Sequence, residues 1–157
     1  MTDLFNKDLV FVSNAESKDE LFKEIYDILR DKDLVKDNFY EMIVERENNY
    51  PTGLDMSVVN ENLSNIAIPH TEPSTVNVTK IIPVKLINKL EFANMIDPDR
   101  KIEVDFAFII LNNNGGDQTN ILSSIMDFVT QTDDIQAMFD STDSDYIYNF
   151  IEKYFNK

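Results

Sequence analysis

The sequence has no cysteine, no tryptophan, one histidine and three glycines in 157 residues. Without Cys there are no disulfides, no thiol nucleophile and no iron–sulfur ligation. With one His besides, zinc fingers and sites built on several imidazoles are excluded. Positive charge is also scarce: 14 Lys and Arg stand against 29 Asp and Glu, a formal net charge of −15. Nucleic-acid binding needs cations to release phosphate counterions, so it is excluded too, as is rest on an anionic membrane surface. No apolar run approaches the roughly 20 residues that cross a bilayer. The start, MTDLFNKDLVFV, lacks the basic and apolar regions of a secretory signal. A cytoplasmic protein without membrane insertion is expected. The glycines form neither GxGxxG nor GxxxxGK[ST], so no nucleotide cradle is visible and no cofactor is expected. Asp97, Asp99, Glu103 and Asp105 lack the spacing and central Gly of a calcium loop. They read as a solvated turn and strand face, and no metal is expected.

The hydrophobic share is 43%, enough for a packed core. The length suits one domain over 1–157, with no repeat, low-complexity tract or linker. The acidic excess favours steering toward a basic protein partner.

Residues 8–13 have strand composition. Ser17 followed by Glu20 is a capping-box signature. Leu21, Phe22, Ile25, Ile28 and Leu29 then recur at helical spacing and predict a helix over 18–31. Asp37 is placed to cap a second helix over 38–48, with Phe39, Met42 and Ile43 inward. Pro51 and Gly53 break it in a turn, YPTGL (50–54). Strand signals follow at 64–68 and 77–86, where Pro83 predicts an edge position or a nearby bulge. Residues 102–111 place Ile102, Val104, Phe106, Phe108 and Ile110 on one face. The other face turns apolar from Ala107 onward, as in a central strand. After a Gly115–Gly116 turn, helices are predicted over 117–131 and 143–155. This order predicts an α/β (α+β-like) fold: a single layered domain, a mixed β-sheet flanked by helices on both faces.

His70, the sole imidazole, ends the segment Ile66-Ala67-Ile68-Pro69-His70-Thr71-Glu72. Pro69 fixes its own φ and holds Ile68 extended, so the His is presented stiffly at a strand end, where α/β folds place ligands. It suits a general base, a phosphoryl acceptor or one metal ligand, or simply a half-buried strand-end residue. Arg46 precedes the YPTGL turn. Its guanidinium suits bidentate phosphate contact, or only balances its acidic neighbours. Gln118 opens a helix after Gly115–Gly116, where anions are favoured; it is either a neutral donor or a plain helix-start residue.

The order Glu45-Arg46-Glu47, two residues, YPTGL, then NIAIPHTE (65–72), then IIPVKL and EF..M strands, then Q..IL..I, resembles the enzyme IIA domains of the bacterial phosphoenolpyruvate-dependent sugar phosphotransferase system. The likeness is to the mannitol/fructose-type superfamily and its galactitol-like branch, and covers about 8–155. It implies that His70 accepts a phosphoryl group from phospho-HPr and passes it to a Cys of a cognate enzyme IIB, with the IIC permease an indirect partner. Nε2 would be the accepting atom, with Nδ1–H held by a carbonyl or side chain. Arg46 would stabilise phosphate charge, and Thr71 would hold phosphoryl oxygens. Mannitol-type relatives carry a second His where this sequence has Gln118, a departure shared by galactitol-like members. It leaves open a regulatory reading: a phosphohistidine signal or a pseudo-IIA module that docks a regulator or transporter.

Overall fold

The computed structural model describes residues 4–155. Five strands form one mixed sheet in the order β1-β4-β5-β3-β2: β1 (Phe11–Ser13), β2 (Gly53–Leu54), β3 (Ile66–Ala67), β4 (Lys80–Ala93) and β5 (Lys101–Leu111). β1 runs parallel to β4, and β3 parallel to β5; the β4–β5 and β2–β3 pairs are antiparallel. The helices are α1 (Lys18–Asp31), α2 (Phe39–Asn49), α3 (Gln118–Gln131), α4 (Ile135–Asp140) and α5 (Ser144–Tyr154).

Each sheet face carries its own core. On one, Leu21, Phe22, Ile25 and Leu29 of α1 and Phe39 and Ile43 of α2 meet Ile82, Val84, Leu86 and Ile109 of the sheet. On the other, α3, α4 and α5 bring Ile121, Ile125, Phe139 and Ile147 against Ile66, Ile81, Phe106 and Phe108. This is the predicted two-sided layering. Each large side chain so buried contributes about 1.5–3 kcal/mol. α1 matches its predicted bounds, and the Ser17 side chain accepts from the Glu20 backbone N–H. β5 is the central strand and is buried on both faces over its second half.

Several expectations are corrected. Asp37 does not cap α2: Asn38 stands at the N-cap without a side-chain bond, and Asp37 instead pairs with Arg30. Pro83 is on the interior strand β4, just before Val84 opens the short β1 ladder. The predicted irregularity is nearby, between Lys85 and Leu90. Ile102 and Val104 pack in the α1/α2 core, whereas Phe106, Phe108 and Ile110 pack in the other. The alternation along β5 thus changes core opposite that irregularity. The 77–86 strand runs on to Ala93. Of 8–13 only 11–13 is strand, and a 3₁₀ turn precedes it. The two-residue β2 and six-residue α4 were not predicted.

Among the described residues no helix is long and apolar enough to cross a membrane. No group of three or more His, Cys, Asp or Glu there is arranged for a metal ion.

Candidate functional site

The two sequence segments richest in functional candidates are joined by backbone hydrogen bonding. Gly53 of YPTGL pairs with Ala67 of NIAIPH, and Leu54 with Ile66. The Ile68 N–H donates to the Thr52 carbonyl at 3.3 Å. Only glycine fits at 53, because a Cβ there would stand 2.6 Å from the Ala93 carbonyl oxygen. This hairpin ties the end of α2, and so Arg46, to the end of β3, and so His70.

Beyond β3 the chain follows β5. The Ile110 N–H donates to the Pro69 carbonyl at 2.9 Å, and His70 forms a parallel bridge with Ile110. His70 therefore sits at the carboxyl ends of parallel strands, as its sequence context predicts. It is half-buried, and its Nδ1 lies 2.8 Å from the Ile68 carbonyl oxygen. A carbonyl only accepts, so Nδ1 carries the proton and Nε2 of the neutral ring keeps its lone pair. Burial pushes the imidazole below its ordinary pKa of 6.5, and the Arg46 charge adds to this. The Ile68 bond and Glu72 oppose it. The ring is neutral at pH 7.

Arg46 packs its guanidinium over the Tyr50 ring, 4.6 Å from the centroid. Its Nη1 lies 3.8 Å from a Glu72 oxygen. Arg46, Tyr50, Thr71 and Glu72, with Met42, Glu45 and Asn49, line a cleft of about 130 Å³. Gln118 begins α3. Its Oε1 accepts from Asn112 Nδ2 at 3.1 Å, at the end of β5 two residues past Ile110. The loop before it approaches the His70 segment, since a Cβ on Gly115 would lie 3.3 Å from Pro73 Cγ.

Arg46 Nε, Thr71 Oγ1 and Gln118 Nε2 are buried without a hydrogen-bond partner. Among the described residues these are the buried side-chain polar atoms left unpaired. Each belongs to a residue singled out from the sequence. Leaving such a group unpaired costs about 1–3 kcal/mol, a cost that a ligand oxygen within reach of each would relieve.

Sequence reasoning assigned no role to Glu47. It is buried at 3% exposure and accepts from both the Thr52 N–H and the Thr52 hydroxyl, each at 2.7 Å. Burial raises its carboxyl from 4.5 to about 6, against the pull of the Thr52 bonds and of the Lys18 and Arg46 charges. A signal was present: Phe39, Ile43 and Glu47 recur every four residues, which puts Glu47 on the buried stripe of α2.

The fold and site together define a layered α/β domain that offers one neutral imidazole beside unpaired donors suited to an anion. The sequence from residue 3 to 154 matches the family described as phosphoenolpyruvate-dependent sugar phosphotransferase system, EIIA 2, and the chain belongs to that family. It is thereby a phosphotransferase component with a phosphocarrier role in such a system. The enzyme IIA for mannitol from Escherichia coli is similar at 18% identity, over 94% of this chain and 98% of that one, with a TM-score of 0.71. The nitrogen regulatory protein IIA-Ntr from Neisseria meningitidis is similar at 19% identity, over 96% and 97%, with a TM-score of 0.68. So is the mannitol enzyme IIA in a complex with phosphorylated mannitol enzyme IIB from E. coli, at 17% identity, over 95% and 97%, with a TM-score of 0.72. At these identities the likeness is one of fold. No curated protein matches the sequence.

Proposed function

We propose that the chain is a cytoplasmic phosphocarrier that takes a phosphoryl group from phospho-HPr on His70 Nε2 and gives it to a Cys of a cognate enzyme IIB. The uptake system it serves is of the galactitol-like, sugar or polyol class, with the IIC permease an indirect partner. The observation that carries this reading is the Nδ1–H···O contact to Ile68, which leaves Nε2 as the nucleophile. As the Nε2–P bond forms, the N–P bond to the donor ring breaks. Nδ1 keeps its proton, so the phosphorylated ring is an imidazolium whose N–H points at the Ile68 carbonyl. A cationic ring is a good leaving group. A Cys thiolate then forms the S–P bond, and His70 departs as neutral imidazole.

Phosphoryl transfer asks a protein mainly for positioning and charge stabilisation. Arg46 supplies the cation, with Thr71 and Gln118 as neutral donors to phosphoryl oxygens. The acidic surface suits fast encounter with a basic carrier face. The complex of mannitol enzyme IIA with phosphorylated mannitol enzyme IIB, a fold relative, supports the choice of IIB as partner.

The test is intact-protein mass spectrometry after incubation with phosphoenolpyruvate, enzyme I and HPr. Wild type should gain one acid-labile phosphoryl group and His70→Ala none. Adding IIB should then discharge the wild type. A His70→Ala chain that still carries phosphoryl to IIB would overturn the proposal. The fold likeness to a nitrogen regulatory protein favours a second reading, a phosphohistidine signal, if the charged protein gives its group to no IIB.

A further inference from the structure

Resting on that reading, we infer that Glu47 is a positioning residue for His70: through Thr52 and Ile68 its carboxylate holds the imidazole in the Nδ1–H tautomer. The links are continuous. Both Glu47 oxygens accept from Thr52, at 2.7 Å each. The Thr52 carbonyl accepts from the Ile68 N–H at 3.3 Å. The Ile68 carbonyl, in the same residue, accepts from His70 Nδ1 at 2.8 Å. Glu47 and Thr52 are 3% and 2% exposed, so water does not compete for these bonds.

A buried carboxylate is costly, and no cation among the described residues forms a close ion pair with it. The charges that act on it are Lys18 on α1 and Arg46 on its own helix, and both rank behind its bonds to Thr52. Its bonds hold the turn between α2 and β2. That turn leads straight into the β2–β3 pairing, Gly53 with Ala67 and Leu54 with Ile66. If the turn shifts, the Ile68 peptide shifts with it, and the carbonyl that selects the tautomer is no longer fixed. An Nε2–H ring has no lone pair on the atom that must react.

His70 is the only histidine, so one ¹⁵N–¹H long-range correlation spectrum reads its tautomer without overlap. Wild type should show Nδ1–H. Glu47→Ala should shift the ratio toward Nε2–H by roughly five- to tenfold, the net worth of one hydrogen bond, and slow phosphorylation in proportion to the Nδ1–H fraction lost. Glu47→Gln should restore the wild-type ratio, because its amide can accept from the Thr52 N–H and donate to the Thr52 oxygen. Should Glu47→Ala not fold, Thr52→Val removes only the hydroxyl bond and should shift the ratio in the same direction. A folded Glu47→Ala or Thr52→Val chain with the wild-type ratio overturns the inference. The ratio is measured without a phosphoryl donor. Tautomer shifts in these variants, together with a wild type that accepts no phosphoryl group, would therefore overturn the phosphocarrier reading and support this one.

Discussion

Replacing Arg46 with Ala separates chemistry from folding at this site. The guanidinium is 36% exposed as a side chain and makes one long ion pair, 3.8 Å to Glu72. Pairs of this kind contribute about 0–1 kcal/mol, so the variant should fold with nearly wild-type stability. The functional loss is larger. Nε has no partner among the described residues, so its bond to a phosphoryl oxygen would be made only in the loaded state and in transfer. A hydrogen bond to a charged group is worth about 1.5–3 kcal/mol, which slows phosphorylation by roughly 10- to 150-fold. A second consequence is independent of rate. Arg46 holds the His70 pKa down while Glu72 lifts it, so removing the cation should raise that pKa. Rapid-quench phosphorylation from phospho-HPr gives the rate, urea unfolding the stability, and an NMR titration of the lone imidazole the pKa. A folded variant with a rate within about twofold of wild type would refute the assignment of Arg46, since the loss argued above exceeds tenfold.

Two further predictions concern the frame that carries the site. Gly53→Ala would push a Cβ against the Ala93 carbonyl oxygen and to 3.1 Å from Phe92 Cβ; overpacking of this kind costs about 1–3 kcal/mol, readable as a lower urea midpoint, and an unchanged midpoint would contradict the close approach. Stability should also depend on pH through Glu47. Its folded pKa of about 6 lies above the ordinary 4.5, so the stabilisation from its proton is fully present below 4.5 and is lost as pH rises through 6. A shift of that size is worth about 2 kcal/mol. The stability gap between wild type and Glu47→Gln should therefore move by about that amount between pH 4.5 and 7, and a flat gap in urea melts would refute it. His70 works the other way: its lowered pKa gives stability present above 6.5 that is lost as pH falls, and it is common to both proteins in that comparison.

Much of this molecule follows from local rules. The α1 stripe of Leu21, Phe22, Ile25 and Leu29 with its Ser17 cap, and the apolar run of β5, are fixed by periodicity and capping over neighbouring residues. Pro69 stiffens the chain before His70 by its own ring. The imidazole stood out because it is the only one, and Arg46 because a guanidinium suited to phosphate stands just before YPTGL. Short elements escaped: β2 is two residues long and exists because β3 lies beside it, and α4 follows Asp134, whose left-handed conformation no local pattern announced. Asp37 had the right residue type for a cap, but Arg30, one helix earlier, offered it a charge.

What the tertiary structure alone decided is how distant groups act on one another. Glu47 is a polar residue in the sequence and a buried clamp in the fold, because α2 turns its side chain to the inner face, where Thr52 donates to both its oxygens. Arg46 and Thr71 share a cleft only because α2 lies beside the His70 segment, and Gln118 is held at the end of β5 by Asn112. Residue type and spacing determined which side chains were capable of the proposed chemistry; burial, which depends on every element at once, determined which ring nitrogen of His70 holds the proton and which donors stay unpaired.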